Sequence, residues 1–123
     1  MKRILSGMQP THQLHLGNYL GALKNWVDLQ NSEPGNENLY CVVDMHAITM
    51  PYERDNLAKA TREIAAAYIA AGIDPKKSAI FPQSAVGELH AELMWLLATM
   101  TQIGELNRMT QFKDKAGKNA EKA

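Results

Sequence analysis

Leu39-Tyr40-Cys41-Val42-Val43 is an unbroken apolar run with no polar face, bounded by Asn38 and Asp44. A strand that is apolar on both sides belongs at the centre of a parallel sheet, where helices cover it. That requirement organises the neighbouring segments. Ile4-Leu5 leads into Ser6-Gly7 as a first short strand, and Ser78-Ala79-Ile80-Phe81, closed by Pro82, reads as a third. Between them, Tyr19, Leu20, Leu23, Trp26, Val27 and Gln30 recur at spacings of three and four, which predicts an amphipathic helix. Leu57, Ala60, Ile64, Tyr68 and Ala71 form a second stripe, with Asp55 able to cap its start and Gly72 and Pro75 to stop it. Leu89, Leu93, Leu96, Leu97 and Met100 predict a third helix, for which Ser84 is the candidate cap. The order β-α-β-α-β is that of an α/β protein with a parallel sheet and flanking helices.

Ligands of such sheets bind beyond the carboxyl ends of the strands. The first strand delivers Gly7 and Gln9 there, the second Asp44 and His46, the third Gln83 and Ser84. Ser6 to Asn18 is a turn-rich loop between a strand and a helix, a geometry that presents backbone N–H groups and the positive end of a helix dipole to an anion. Within it, His15 and Asn18 stand three apart and can face one ligand, while Gly17 lets a nucleotide approach the backbone. Read without their context, these residues are a helix start with a surface histidine. Asp44 has two readings, a catalytic carboxylate or one that holds a neighbouring loop by hydrogen bonds.

Thirteen Lys and Arg residues balance thirteen Asp and Glu in 123 residues, so no global field draws the chain to nucleic acid. From Arg108 the balance turns basic, with Lys113, Lys115, Lys118 and Lys122 against Asp114 and Glu121. The lone Cys41 fits a reducing compartment, hence a cytoplasmic expectation. No apolar run approaches the roughly 20 residues of a membrane helix. His12, His15, Cys41 and His46 lack zinc-finger spacing, and no metal site is expected from them. His90 reads as a surface or interface residue; Met94, Trp95 and Met100 read as core or subunit contact.

The string Ser6-Gly7-Met8-Gln9-Pro10-Thr11, followed by His15-Leu16-Gly17-Asn18-Tyr19-Leu20-Gly21-Ala22, resembles the HIGH region of class I aminoacyl-tRNA synthetases in its tryptophanyl-tRNA synthetase form. Val43 to Thr49, Gly72-Ile73-Asp74-Pro75 with Phe81-Pro82-Gln83-Ser84, and Gly104 to Lys115 are similar to three further blocks of that family, in order. The resemblance runs almost end to end and implies a Rossmann-type catalytic domain. It also implies ATP-dependent, magnesium-assisted activation of tryptophan, transfer to tRNA, and a homodimer. Residue by residue it implies ATP contacts from Gln9, Pro10, Thr11, His15, Gly17 and Asn18. Gly7 and His46 fall at the amino-acid site, and Lys113 and Lys115 at the triphosphate, with His15, Asn18 and Lys115 as the catalytic group.

The chain departs from the family pattern in having Met45 for a frequent glutamine and in lacking a K-M-S-K-S-like loop, the acidic residue for the indole nitrogen and an anticodon-reading domain. Residues 1–115 therefore read as the front part of the catalytic domain and residues 116–123 as a mobile polar end. Full activity is expected of a longer protein. Two other readings stay open at this point, a small nucleotidylyltransferase of the H-x-G-H kind and a non-catalytic nucleotide-binding or dimerising module.

Overall fold

A computed structural model describes residues 2–10 and 14–120. The chain divides into two compact units, Met1–Ala85 and Val86–Ala123. In the first, β1 (Arg3–Met8), β2 (Glu37–Val42) and β3 (Ser78–Pro82) form a parallel sheet in the order β1-β2-β3. Between β1 and β2 run α1 (Leu16–Asn18), a π-helical turn (Tyr19–Leu23) and α2 (Lys24–Ser32). Between β2 and β3 lie α3 (Asp44–Ala47) and α4 (Arg54–Ala70). The expected α/β architecture and the family-like parallel sheet are therefore present.

In a parallel sheet, paired residues share a face. Ser6, Tyr40 and Ile80 pair across one face, as do Met8, Val42 and Pro82. On that face Tyr40 and Val42 pack with Leu23 and Trp26 of the first crossover, Ile64 and Tyr68 of α4, and Ile73. Trp26 stacks on Tyr40 at 4.8 Å and meets Tyr68 edge-on at 5.2 Å, geometries that add about 0.5–1.5 kcal/mol each to simple burial. The Tyr40 hydroxyl donates to the Trp26 carbonyl and the Tyr68 hydroxyl to the Cys41 carbonyl. Both crossover helices thus serve the same face. On the other, Leu5 is 67% exposed although Cys41 is buried.

Two boundaries differ from the sequence reading. The π turn inserts an extra residue per turn, so Tyr19 and Leu20 leave the stripe and are exposed while Leu23, Trp26 and Gln30 stay buried. Helix α4 begins before Asp55, with Glu53 at the cap position and no side-chain cap, and Asp55 instead lies in the first turn where the dipole favours it. It ends, as expected, at Gly72, whose φ is +112°.

Gln30 joins this unit's lower end. Its Oε1 accepts from the Asp74 N–H and the Ser78 hydroxyl, and its Nε2 donates to the Gly72 carbonyl.

The second unit contains α5 (Gly87–Met100), α6 (Ile103–Leu106) and α7 (Thr110–Ala120). A 3-10 turn, Gln83–Val86, leads into α5. The predicted third helix is present, but Val86 occupies its cap position and Ser84 is engaged elsewhere. The apolar stripe is not buried: Leu89, Leu93, Leu96, Leu97 and Met100 are all exposed, as are Met94 and Trp95. His90 is exposed, as read. Helix α7 continues through Ala120, beyond the Lys115 boundary drawn from composition. Among the described residues no helix is long and apolar enough to cross a membrane.

Candidate active site

The register brings Met8, Val42 and Pro82 side by side as the last residues of their strands. The segments that leave the three strands, Gln9-Pro10, Val43 to His46 and Gln83-Ser84, accordingly start from one rim. Asp44 organises it. Its Oδ1 accepts from its neighbour Met45 N–H (3.0 Å) and from Ser84 N–H (2.9 Å), and its Oδ2 accepts from the Ser84 hydroxyl (2.5 Å). Of the two readings of Asp44, the loop-holding one describes these bonds. They clamp the exits of β2 and β3 together, which is why Ser84 does not cap α5.

His15 and Asn18 are bound reciprocally at the start of α1. The His15 Nδ1 accepts from Gly17 N–H (3.1 Å), and the Asn18 Oδ1 accepts from His15 N–H (3.1 Å). Each side chain therefore satisfies an orphan donor of the helix end, the logic of a capping box. The bonds also decide what is left. With Nδ1 accepting, a neutral imidazole carries its proton on Nε2, and with Oδ1 accepting, the Asn18 amide keeps both Nδ2 protons. The acceptors are spent on the loop, and among the described residues the donors have no partner.

Gly17 favours the first of these bonds, since a Cβ there would lie 3.0 Å from the His15 ring and the ring would have to shift. Gly7 has a tighter constraint: a Cβ would meet the Cys41 carbonyl at 2.8 Å and the Val43 side chain at 3.0 Å. The β1 backbone thus runs closely beside the β2 exit on the face where Leu5 is exposed.

Gln9 is half-buried and Pro10 buried, and both line a cleft of about 450 Å³ with Met50, Tyr52 and Asn56. Thr11, His12 and Lys122 lie outside the described residues, and the side chain of Lys118 does as well. His46 is exposed in the last turn of α3, its carbonyl accepting from the Thr49 N–H and hydroxyl. Lys113 and Lys115 belong to the second unit, where Lys115 is half-buried and lines a cleft of about 460 Å³ with Leu106, Met109, Gln111 and Phe112. Cys41 is buried near the end of β2, and burial, with the Asp44 charge behind it, pushes its thiol up, away from nucleophilic chemistry.

The sequence reading passed over the side-chain chemistry of Gln83. Its Oε1 is buried and has no hydrogen-bond partner among the described residues. Its place at the end of a strand was visible; its unpaired acceptor was not.

The family of tRNA synthetases class I (W and Y) matches residues 1–123. The chain belongs to that family. It is 57% identical over 120 residues to the tryptophan–tRNA ligase of Brucella melitensis, covering 98% of this chain and 33% of that protein. With the chloroplastic and mitochondrial tryptophan–tRNA ligase of Arabidopsis thaliana the identity is 55%, over 95% of this chain and 28% of the relative. Among solved structures, the tryptophanyl-tRNA synthetase of Campylobacter jejuni superposes with a TM-score of 0.82 at 38% identity, over 95% of this chain and 35% of that one. The same enzyme complexed with ADP and tryptophan gives 0.81 at 38% identity, over 94% and 35%. The chain therefore spans about a third of the length of the curated relatives it matches.

Proposed function

We propose that this chain is the front part of a tryptophan–tRNA ligase, in which ATP activates tryptophan as its adenylate and the acyl group passes to tRNA. The observation that carries the reading is the reciprocal cap. It leaves the Nε2–H of His15 and the Nδ2–H groups of Asn18 as donors at the start of the first crossover, in a chain whose family and named relatives are of this kind. In the first step the tryptophan carboxylate oxygen bonds to the α-phosphorus and the bond to the pyrophosphate oxygen breaks. The enzyme's task is alignment and stabilisation of charge on phosphate oxygens, without a covalent enzyme intermediate.

In this reading Gln9, Pro10, Thr11 and Gly17 complete the ATP cradle, while Gly7 and His46 serve the amino-acid side. Lys113 and Lys115 meet the triphosphate, Lys115 acting with His15 and Asn18 on the reacting phosphates. Mg²⁺ enters on the ATP phosphates and neutralises their charge; among the described residues no three His, Cys, Asp or Glu side chains gather as a metal site. The exposed apolar side chains of α5, Trp95 at 71% and Met100 at 80% among them, support a homodimer contact. The reduced Cys41 and the family's work in translation support a cytoplasmic place. A small nucleotidylyltransferase is disfavoured by Asn18 and by the family match along the whole chain.

The test is tryptophan-dependent exchange of pyrophosphate into ATP by the protein at its relatives' length, with His15→Asn beside the wild type. Asparagine can still cap α1 but lacks the Nε2 donor. Exchange should fall about 10²-fold while the melting temperature stays within a few degrees. Absence of tryptophan-dependent exchange in the wild type would sink the reading.

A further inference from the structure

On the side of the rim away from the capped loop, a groove of about 500 Å³ opens between α4 and the exits of β2 and β3. Its walls carry Tyr52, Arg54, Thr61 and Arg62 on one side and the clamped pair Asp44 and Ser84 on the other. Arg54, Thr61 and Arg62 stand at i, i+7 and i+8 of one helix, so they share a face. Neither guanidinium has an ion-pair or hydrogen-bond partner among the described residues. By contrast, Lys59 on the same helix is paired with Glu63. Asp44, the only carboxylate lining the groove among the described residues, has both oxygens engaged by Ser84. Tyr52 is 53% exposed and also lines the cleft that contains Gln9 and Pro10, as does Leu57. The two clefts thus share a wall.

Two uncommitted arginines, an exposed aromatic ring and a hydroxyl along a channel are the elements that hold single-stranded nucleic acid: cations for phosphates and a ring for a base. The arginines are about 12 Å apart along the helix axis, a spacing suited to separate phosphates of one strand rather than to a single small anion. Because the groove shares Tyr52 and Leu57 with the cleft that contains Gln9 and Pro10, a strand held in it lies beside that cleft. We propose that this groove receives the single-stranded 3′ end of the RNA substrate, with its phosphates on Arg54 and Arg62 and a base against Tyr52. The proposal rests on the tryptophan–tRNA ligase reading and adds where that enzyme's RNA enters.

The experiment uses the protein at its relatives' length and the doubly substituted Arg54→Ala/Arg62→Ala form. Arg54→Lys/Arg62→Lys serves as the charge-retaining variant, and Lys59→Ala as a control on the same helix outside the groove. Tryptophan-dependent pyrophosphate exchange, measured without RNA, is compared with aminoacylation at increasing tRNA concentration. The expected result is a tRNA KM raised at least 10-fold in the alanine form and largely restored by lysine. The salt dependence of tRNA affinity should be shallower by about one power for each phosphate no longer neutralised, with exchange within twofold of wild type and Lys59→Ala unchanged in both assays. An unchanged tRNA KM with exchange intact would overturn the groove assignment alone. A raised KM for ATP in exchange would assign the arginines to the triphosphate and overturn it equally. A wild type without tryptophan-dependent exchange would overturn the reading beneath it.

Discussion

His15 and Asn18 show how a side chain can hold a fold with one edge and keep the other edge polar. The Nδ1 and Oδ1 atoms close the helix end, and the opposite edges of the same side chains remain donors. Tyr68 shows the reverse case, a titratable group committed wholly to structure. It is fully buried, its hydroxyl donates to the Cys41 carbonyl, and burial pushes its ionisation well above the ordinary value of 10.0. The folded state therefore keeps the neutral phenol where the unfolded chain ionises. Its contribution is complete below about pH 10 and is lost as pH rises beyond it. Tyr68→Phe should cost about 1 kcal/mol at pH 8 yet lose less stability than wild type between pH 9 and 11. Urea unfolding followed across that range checks this; parallel pH curves for the two proteins would contradict it.

At the scale of elements, α2, the turn after α4 and the start of β3 are tied by one side chain. Gln30 uses its oxygen twice and its nitrogen once on Gly72, Asp74 and Ser78. Gln30→Leu would fill similar space but strip partners from the buried Ser78 hydroxyl, the half-buried Asp74 N–H and the Gly72 carbonyl, and we expect a loss of about 1–3 kcal/mol, read as a lower urea midpoint at unchanged slope. Gln30→Glu should recover part of it, because its carboxylate can still accept from Asp74 and Ser78. Short apolar runs made the three strands legible and 3.6-residue periods the main helices, since both are local signals. The π turn was not, because nothing in Tyr19 to Leu23 departs from a helical pattern and only the exposure of Tyr19 and Leu20 betrays it. Asp44 could be read as a holder of loops, but Ser84 is 40 positions away and becomes its partner only through strand register. Arg54 and Arg62 look in sequence like charges on a solvated helix face; that they line one groove is a fact of packing.

For the whole molecule, the two units differ in how they treat apolar residues. The first buries Tyr40, Tyr68, Leu23 and Ile73 almost completely, each worth about 1.5–3 kcal/mol. Helix α5 of the second leaves Leu93, Trp95, Leu97 and Met100 in solvent. Sequence periodicity identified that helix but could not say whether its stripe meets its own chain or another. If α5 is the subunit contact, Trp95→Asp in the protein at its relatives' length should raise the dimer dissociation constant at least 10-fold, with the far-ultraviolet spectrum unchanged. Sedimentation velocity over a concentration series measures it. A dimer of wild-type strength would move the contact elsewhere.

The strand order β1-β2-β3 has a consequence for how the first unit assembles. Neighbours among these three strands are successive in the chain, so each can dock on one already made. Loop closure at every stage spans only one helix crossover, which keeps its entropic cost small. These three strands can therefore assemble in chain order, each crossover closing over the aromatic face as its strand is added.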